Sequence, residues 1–150
     1  MALSADRNTP RAEGDILRSP AAASLIYAGA LVMRNAAGYV TKGATATGCV
    51  GVGRAEHQVD NSGGSAGDLS VNVRPGRFRF NNSASADAIT IAEIGDVCFI
   101  VDDETVAKTD GSGTRSPAGF VADIDDQGVW VRCDEALTRV YVEGIAEPAA

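Results

Sequence analysis

Two groups of acidic residues are the nearest approach to a metal site in this sequence of 150 residues. One is Asp102–Glu104, and the other lies within Asp123–Gly128, DIDDQG, which is similar to the start of a Ca²⁺-binding loop. The twelve-residue spacing and the closing glutamate of an EF-hand are absent, however. Acidic residues also favour tight turns, because their carboxylates accept hydrogen bonds from nearby backbone amides. We therefore predict two acidic turns and assign no metal ion and no cofactor to the protein.

An enzyme needs polar groups that converge on a substrate, and few motifs here supply them. The single histidine, His57, has no cysteine motif beside it, and no HExxH, P-loop or kinase pattern occurs. The glycines of Cys49–Ala55, CVGVGRA, stand in the wrong order for a dinucleotide-binding loop, and no amphipathic helix follows them. They predict instead a strand that packs closely against a neighbour. The sequence therefore favours a protein that is not an enzyme.

A pair of arginines alternates with two phenylalanines in RFRF, residues 77–80. In a strand this alternation places Phe78 and Phe80 on one face and Arg77 and Arg79 on the other. Two guanidinium groups at this spacing can bind phosphate or carboxylate groups. A solvated strand face explains the same pattern and is the commoner case. Arg77 and Arg79 are therefore candidate contacts to a partner, with the solvated face as the alternative.

The first fifteen residues, MALSADRNTPRAEGD, show neither the period of a strand nor that of a helix. They carry charges early and hold no apolar segment, so they do not fit a signal peptide. Basic residues alternate with small ones here, which suits an extended arm laid against a partner. A frayed terminus is the commoner explanation of such a segment. The candidate contact residues of the arm are Arg7, Asn8, Thr9, Pro10 and Arg11.

The charge distribution limits the kinds of partner that the protein can bind, and its cysteines indicate where it is assembled. The formal net charge is −7, and it divides as +2 over residues 1–50, −2 over residues 51–100 and −7 over residues 101–150. The acidic C-terminal third argues against nucleic acid as a partner, and no apolar run approaches the ~20 residues of a membrane span. The cysteines Cys49, Cys98 and Cys133 have no CxxC spacing. We therefore predict buried free thiols and assembly inside a cell.

The pattern of apolar residues predicts a mainly β fold built around Ile94–Arg132. The predicted strands are, in chain order, a hairpin over Leu31–Thr41, then Cys49–Ala55, Leu69–Arg74, Arg77–Phe80, Val97–Val101, Val106–Lys108, Gly119–Ile124 and Gly128–Arg132. One short helix is predicted at about residues 88–94, because Thr90 and Glu93 fit a capping box and Gly95 follows as a stop. The tail after Cys133 is acidic and sparsely apolar, with Val140–Val142 as a further strand candidate.

These elements divide the chain into three parts. An extended arm covers residues 1–15, a β-rich domain residues 16–132 and an acidic tail residues 133–150. The expected fold is a small, glycine-rich antiparallel β-barrel or sandwich with one short helix and an extended N-terminal arm. Because Trp130 alternates with Val129 and Val131, we expect its indole in the core or in a subunit interface.

Five segments of the chain follow one another as in a known family. They read YAGALVMRNAAGYV, GVGRAE, VNVRPGRFRFNNS, IGDVCFIVDDETVAKTD and SPAGFVADIDDQGVWVR. Together they resemble the capsid cement, or head decoration, proteins of tailed bacteriophages and prophages. Gly95–Val106 corresponds to the family pattern G-x-x-x-Y/F-x-V-D-x-x-T-V, and Gly119–Val131 to a closing hairpin. The resemblance covers about residues 14–132 and leaves the first dozen residues and the tail after Cys133 outside.

The resemblance implies a non-enzymatic virion protein on the outer capsid surface. Such a protein is usually a homotrimer that bridges subunits of the major capsid protein after head expansion. Its partners would be the major capsid protein and further copies of itself, without nucleic acid or membrane contact, and it would be assembled in the host cytoplasm. A receptor- or glycan-binding β-module of a phage tail or fibre is the alternative from a different functional class.

Overall fold

Two β units make up most of the protein. The computed structural model describes residues 2–12 and 14–146, which hold twelve strands and one α-helix. One unit is a closed five-stranded barrel, and the other is a five-stranded sheet with a core of its own. The mainly β fold with a small barrel, predicted from the apolar pattern, is confirmed.

The predicted strands between Leu31 and Arg132 are present, each within two residues of its expected bounds. The observed bounds are β1 Leu17–Pro20, β2 Leu25–Ile26, β3 Leu31–Arg34, β4 Val40–Lys42, β5 Val50–Ala55, β6 Val59–Asp60, β7 Ser70–Arg74, β8 Gly76–Asn82, β9 Val97–Ile100, β10 Thr105–Ala107, β11 Pro117–Asp125 and β12 Gly128–Cys133. The helix, α1, spans Glu135–Ala146.

The barrel closes in the order β10-β8-β12-β11-β9. Neighbouring strands are antiparallel, apart from the short parallel pair of β8 and β10 that completes the ring. Because alternate residues of a strand face opposite sides, Val129 and Val131 of β12 both point inward. They pack with Cys98, Ile100 and Val106, and all five of these side chains are fully buried.

The second unit is a sheet in the order β1-β7-β5-β3-β4. A bridge between Ala21 and Val40 brings the chain after β1 beside β4, so that the sheet curls almost into a second ring. The ribbon of β2 and β6 adds Ile26 to its core, which also holds Val52 and Val73. The side chains of this second core are all buried, and most of them are valines or alanines.

The two units meet where β5 approaches β11. Leu31 and Met33 of β3 belong to the barrel core, whereas Val32 between them faces the second core. A side chain at Gly51 would place its Cβ 2.1 Å from the carbonyl oxygen of Ala118, so only glycine allows this approach. The prediction that the glycine-containing strand packs closely against a neighbour is therefore confirmed.

The predicted helix near residues 88–94 is a single 3₁₀ turn over Ile91–Glu93, and a second such turn covers Ser85–Asp87. The expected capping box is present. The Thr90 backbone N–H donates to the Glu93 carboxylate at 2.8 Å, and Thr90 Oγ1 accepts a hydrogen bond from the Ala92 N–H at 3.2 Å. The motif thus fixes the start of the turn as predicted, but the turn does not extend into an α-helix.

The predictions of a single helix and of a strand at Val140–Val142 are wrong. The predicted tail instead forms α1, as far as the described residues extend, while residues 147–150 lie outside them. Asp134 caps the helix, since its Oδ1 accepts a hydrogen bond from the Leu137 N–H at 3.1 Å. Thr138 is fully buried on its inner face. The apolar pattern did not indicate this helix, because β-branched valines favour strands and the buried Thr138 is polar.

We expect Gly51→Ala to destabilise the protein, because the new Cβ would lie 2.1 Å from the Ala118 carbonyl oxygen. Overpacking an interior costs about 1–3 kcal/mol, and a clash with backbone lies at the upper end of that range or above. Urea denaturation measures the free energy of unfolding. Gly63→Ala is the matched control, since nothing lies within 4 Å of its Cβ. Equal stability of the two variants would contradict this account of the contact.

Candidate functional site

The arm is exposed along its described length. Residues 2–12 adopt neither helix nor strand, and every one of them is exposed. The exposed residues include all five predicted contacts: Arg7, Asn8, Thr9, Pro10 and Arg11. The Arg7 guanidinium donates to Thr9 Oγ1 at 2.8 Å, which gives the segment a local bend. The arm joins the body near Asp15, whose carboxylate lies 3.6 Å from Arg74 Nη1.

The arginines of β8 lie on the outer face of the barrel, as the alternation predicts, while Phe80 points inward. Arg79 lies 3.4 Å from an Asp125 carboxylate oxygen, and its guanidinium carbon is 5.5 Å from the centre of the Trp130 ring. Arg77 lies directly across from Arg132 in β12. It forms no ion pair within the described part of the chain. The two predicted contacts therefore differ, since Arg79 is engaged within the barrel surface and Arg77 is available.

A groove beside the first turn of α1 brings Arg77 and the base of the arm together. We call it the α1 groove, and its volume is about 770 Å³. Its floor is apolar and its rim is charged: the lining includes Leu17, Val52, Pro75, Ala136, Asp15, Arg77, Arg132, Asp134, Glu135 and Arg139. Arg79 and the contact residues of the arm do not line it.

Several residues of the α1 groove were not predicted from the sequence. Arg132 stands beside Arg77 because β12 pairs with β8, and Arg139 reaches the groove because α1 folds back over the sheet. The available signal was Asp134, a good N-cap residue just after a strand, followed by Glu135 in the first helical turn. That signal would have replaced the predicted acidic tail with a helix and drawn attention to its arginine.

The acidic groups act as turn residues, as predicted. Asp102 Oδ1 accepts a hydrogen bond from the Glu104 N–H at 2.9 Å. Asp125 Oδ1 accepts hydrogen bonds from the backbone N–H groups of Gln127 at 2.8 Å and Gly128 at 3.1 Å. Across residues 2–12 and 14–146, no three histidine, cysteine or acidic side chains gather in a way that could hold a metal ion.

The expected core position of Trp130 is wrong, while a place in a subunit interface stays a prediction. The ring is half-buried on the outside of the barrel, between the inward-facing Val129 and Val131. Its Nε1–H donates to Asp125 Oδ2 at 2.8 Å. This indole donor, the Gln127 amide and the Arg79 guanidinium together hold the pKa of the Asp125 carboxyl below its usual value.

The sequence GGSAG at Gly63–Gly67 matches the GxSxG pattern of nucleophilic hydrolases, although the sequence analysis did not identify it. That pattern needs a sharp strand-to-helix turn, but Ser65 lies in an exposed loop between two strands. Its N–H donates to an Asp68 carboxylate oxygen at 2.9 Å. His57 Nε2 accepts a hydrogen bond from the Asn72 backbone N–H at 3.1 Å. The serine thus belongs to a turn, and the imidazole satisfies a backbone donor of β7.

The three cysteines are buried free thiols, as predicted. Burial raises the pKa of the Cys133 thiol to about 12 and also raises the pKa values of Cys98 and Cys49. The thiolate is the reactive form of cysteine, so these side chains serve as small apolar groups of the core.

Comparison with known proteins leaves the family open. A scan against models of known families, a search of characterised proteins and a search of solved structures each found no match. In the described residues, no helix combines the length and the apolar character that crossing a bilayer requires. The likeness to head decoration proteins therefore stays a prediction drawn from sequence motifs.

The single tryptophan provides a test of the Asp125 network. Donors to the Asp125 carboxylate lower its pKa, so its stabilising contribution is present above the unfolded pKa and is lost as pH falls through the folded pKa. We expect Trp130 emission to change in one step with a midpoint below about pH 3.9, the ordinary value for aspartate.

Asp125→Asn should remove this step, whereas Asp126→Asn, a change at the exposed neighbouring position, should retain it. Fluorescence titration of the three proteins makes the comparison. A step that persists in Asp125→Asn would show that another group controls the indole.

Proposed function

We propose that the protein is a non-enzymatic structural component of a tailed-phage virion. It binds the outer surface of the capsid and stabilises the lattice of major capsid protein. The observation that carries this proposal is an exposed arm attached to a firmly packed body: residues 2–12 are all exposed, whereas the body beside them holds two buried β cores. An extended arm of this kind can add a strand to a partner's sheet.

The charge distribution supports an outer rather than an inner capsid surface. Residues 101–150 carry a formal charge of −7, and packaged DNA would repel that surface. The arm carries Arg7 and Arg11 beside three acidic residues, and its two guanidinium groups can pair with carboxylates of a protein surface. Assembly takes place in the host cytoplasm under this proposal, which agrees with the three free thiols.

Exposed apolar residues near α1 support the self-association that the proposed homotrimer needs. Leu137 and Val140 on the helix are 40% and 65% exposed, and Ile91 and Ile94 around the 3₁₀ turn are 78% and 45% exposed. Gly95 and Leu137 line one shallow groove, so the helix and the turn border the same surface. Exposed apolar patches of this kind commonly mark protein interfaces.

Binding to phage heads tests the proposal directly. We expect purified protein to bind expanded, undecorated heads of the cognate major capsid protein to saturation and to raise their melting temperature, because many weak contacts repeat over the lattice. Co-sedimentation measures occupancy and scanning calorimetry measures the melting temperature. Heads before expansion serve as the control. Absence of binding to expanded heads would contradict the proposed function.

Deletion of residues 1–13 tests the role of the arm. We expect lower occupancy on expanded heads, because the exposed basic contacts are removed, and an unchanged free energy of unfolding, because residues 2–12 add nothing to either core. Urea denaturation supplies the stability control. Unchanged occupancy would identify the arm as a frayed end.

A glycan-binding module is the second candidate, and Trp130 is the observation that favours it. Its half-buried ring lies on the outer face of the barrel, with the Arg79 guanidinium 5.5 Å from the ring centre. Tryptophan is enriched at interfaces, because its ring is apolar and its N–H is polar. Binding to a glycan array that is lost in Trp130→Ala would favour this candidate over the capsid protein.

A further inference from the structure

We propose that the α1 groove binds an extended, acidic and partly apolar segment of the major capsid protein. Arg77 and Arg132 hold carboxylates of the segment, and the apolar floor of the groove receives its apolar side chains. The proposal deepens the proposed function and rests on it for the identity of the partner. The chemistry of the segment follows from the groove itself.

The two arginines form a like-charge pair in the sheet. The register of β8 and β12 places Arg77 directly across from Arg132, and both side chains line the α1 groove. Like charges directly opposite each other destabilise a sheet. Arg132 approaches Asp134 at 3.8 Å, near the limit of an ion pair, and Arg77 pairs with none of the described residues. A carboxylate between the two guanidinium groups would relieve the repulsion through charge-assisted hydrogen bonds.

The acidic residues of the groove are already engaged by other groups. Glu135 receives a hydrogen bond from Arg34 Nε at 2.6 Å, and Asp15 lies 3.6 Å from Arg74 Nη1. Asp134 caps the start of α1. The groove therefore lacks a free carboxylate to neutralise Arg77, and its positive charge is open to a ligand.

The floor of the groove selects against a purely polar anion. Leu17, Val52, Pro75 and Ala136 form an apolar surface beside the arginines. Leu17 is 46% exposed, so an apolar side chain that covers it would be removed from water together with it. Nucleic acid is disfavoured by the net charge of −7 and by this floor. A peptide with acidic and apolar side chains matches both parts of the groove.

The edge of β1 favours an extended conformation of the bound segment. β1 is the first strand of its sheet and borders the groove through Leu17. The Asn72 N–H donates to His57 and the Asn72 C=O accepts from the Glu56 N–H, so the opposing Arg18 is not hydrogen-bonded to β7. Its N–H and C=O face the free edge, where another strand can pair.

Two blocked hexapeptides test the chemistry of the groove, one alternating glutamate with valine and the other glutamine with valine. Calorimetric titration of the whole protein should detect binding of the glutamate peptide alone. Arg77→Glu should weaken that binding about tenfold or more, the equivalent of one charge-assisted hydrogen bond. Lys42→Glu makes the same charge change on an exposed residue outside the groove and should retain the affinity.

Arg77→Glu also separates lost binding from lost folding. Glutamate at this position would face Arg132 as an opposite-charge pair, so the melting temperature should stay equal or rise. Equal affinity of the two peptides, or of the two variants for the glutamate peptide, would overturn the proposal.

Phage heads separate this proposal from the proposed function. Lower occupancy by Arg77→Glu than by Lys42→Glu would support the groove as a capsid contact. Equal occupancy by both variants would overturn the groove proposal and leave the proposed function standing. Peptide binding without any binding to heads would support an acidic ligand for the groove and overturn its assignment to the capsid protein.

Discussion

The close contact between β5 and β11 is the constraint on which both β units depend. The backbone at Gly51 lies against the carbonyl of Ala118, at a distance that leaves no room for a Cβ. Ser116 reinforces the contact, because its Oγ accepts a hydrogen bond from the Cys49 N–H at 3.1 Å and donates to the Ala46 carbonyl at 2.7 Å. Leu31 and Met33 of β3 can therefore pack in the barrel core, while Val32 of the same strand packs in the second core. Since the barrel core includes residues of the sheet, the two units pack as one body.

The position of α1 follows from this contact. The helix packs against both β5 and β11, and it thus lies across the junction of the two units. Arg34 of β3 binds Glu135 in the first helical turn at 2.6 Å, with both side chains largely shielded from water. Farther along the helix, the rings of Phe120 and Tyr141 meet edge to face with their centres 6.3 Å apart. A helix packed across two curved sheets cannot cover them completely. The α1 groove is the uncovered space beside the first turn of α1.

Much of the fold could be predicted from the sequence, because period-two patterns and turn residues act locally. The alternation in Arg77–Phe80 and the capping box at Thr90 are such signals, and the structure contains both. Less could be predicted of the candidate site. Arg77 is recognisable as an exposed arginine, but its pairing with Arg132 depends on strand register, which joins residues far apart in the chain. The helix was missed because Thr138, which is buried, does not add to an apolar stripe: its hydroxyl donates to the Asp134 carbonyl at 2.8 Å.

The base of the arm adjoins the α1 groove, because Asp15 belongs to both the arm and the rim of the groove. A partner held by the arm would therefore present its neighbouring segment to the groove at high effective concentration, and neither contact alone needs to be strong. The Asp15–Arg74 ion pair lies at the base of the arm. An exposed pair of this kind contributes little to folding stability. Under the proposed function, the exposed arm and the preformed groove would contact the same capsid protein, and this pair of contacts would repeat at each lattice position.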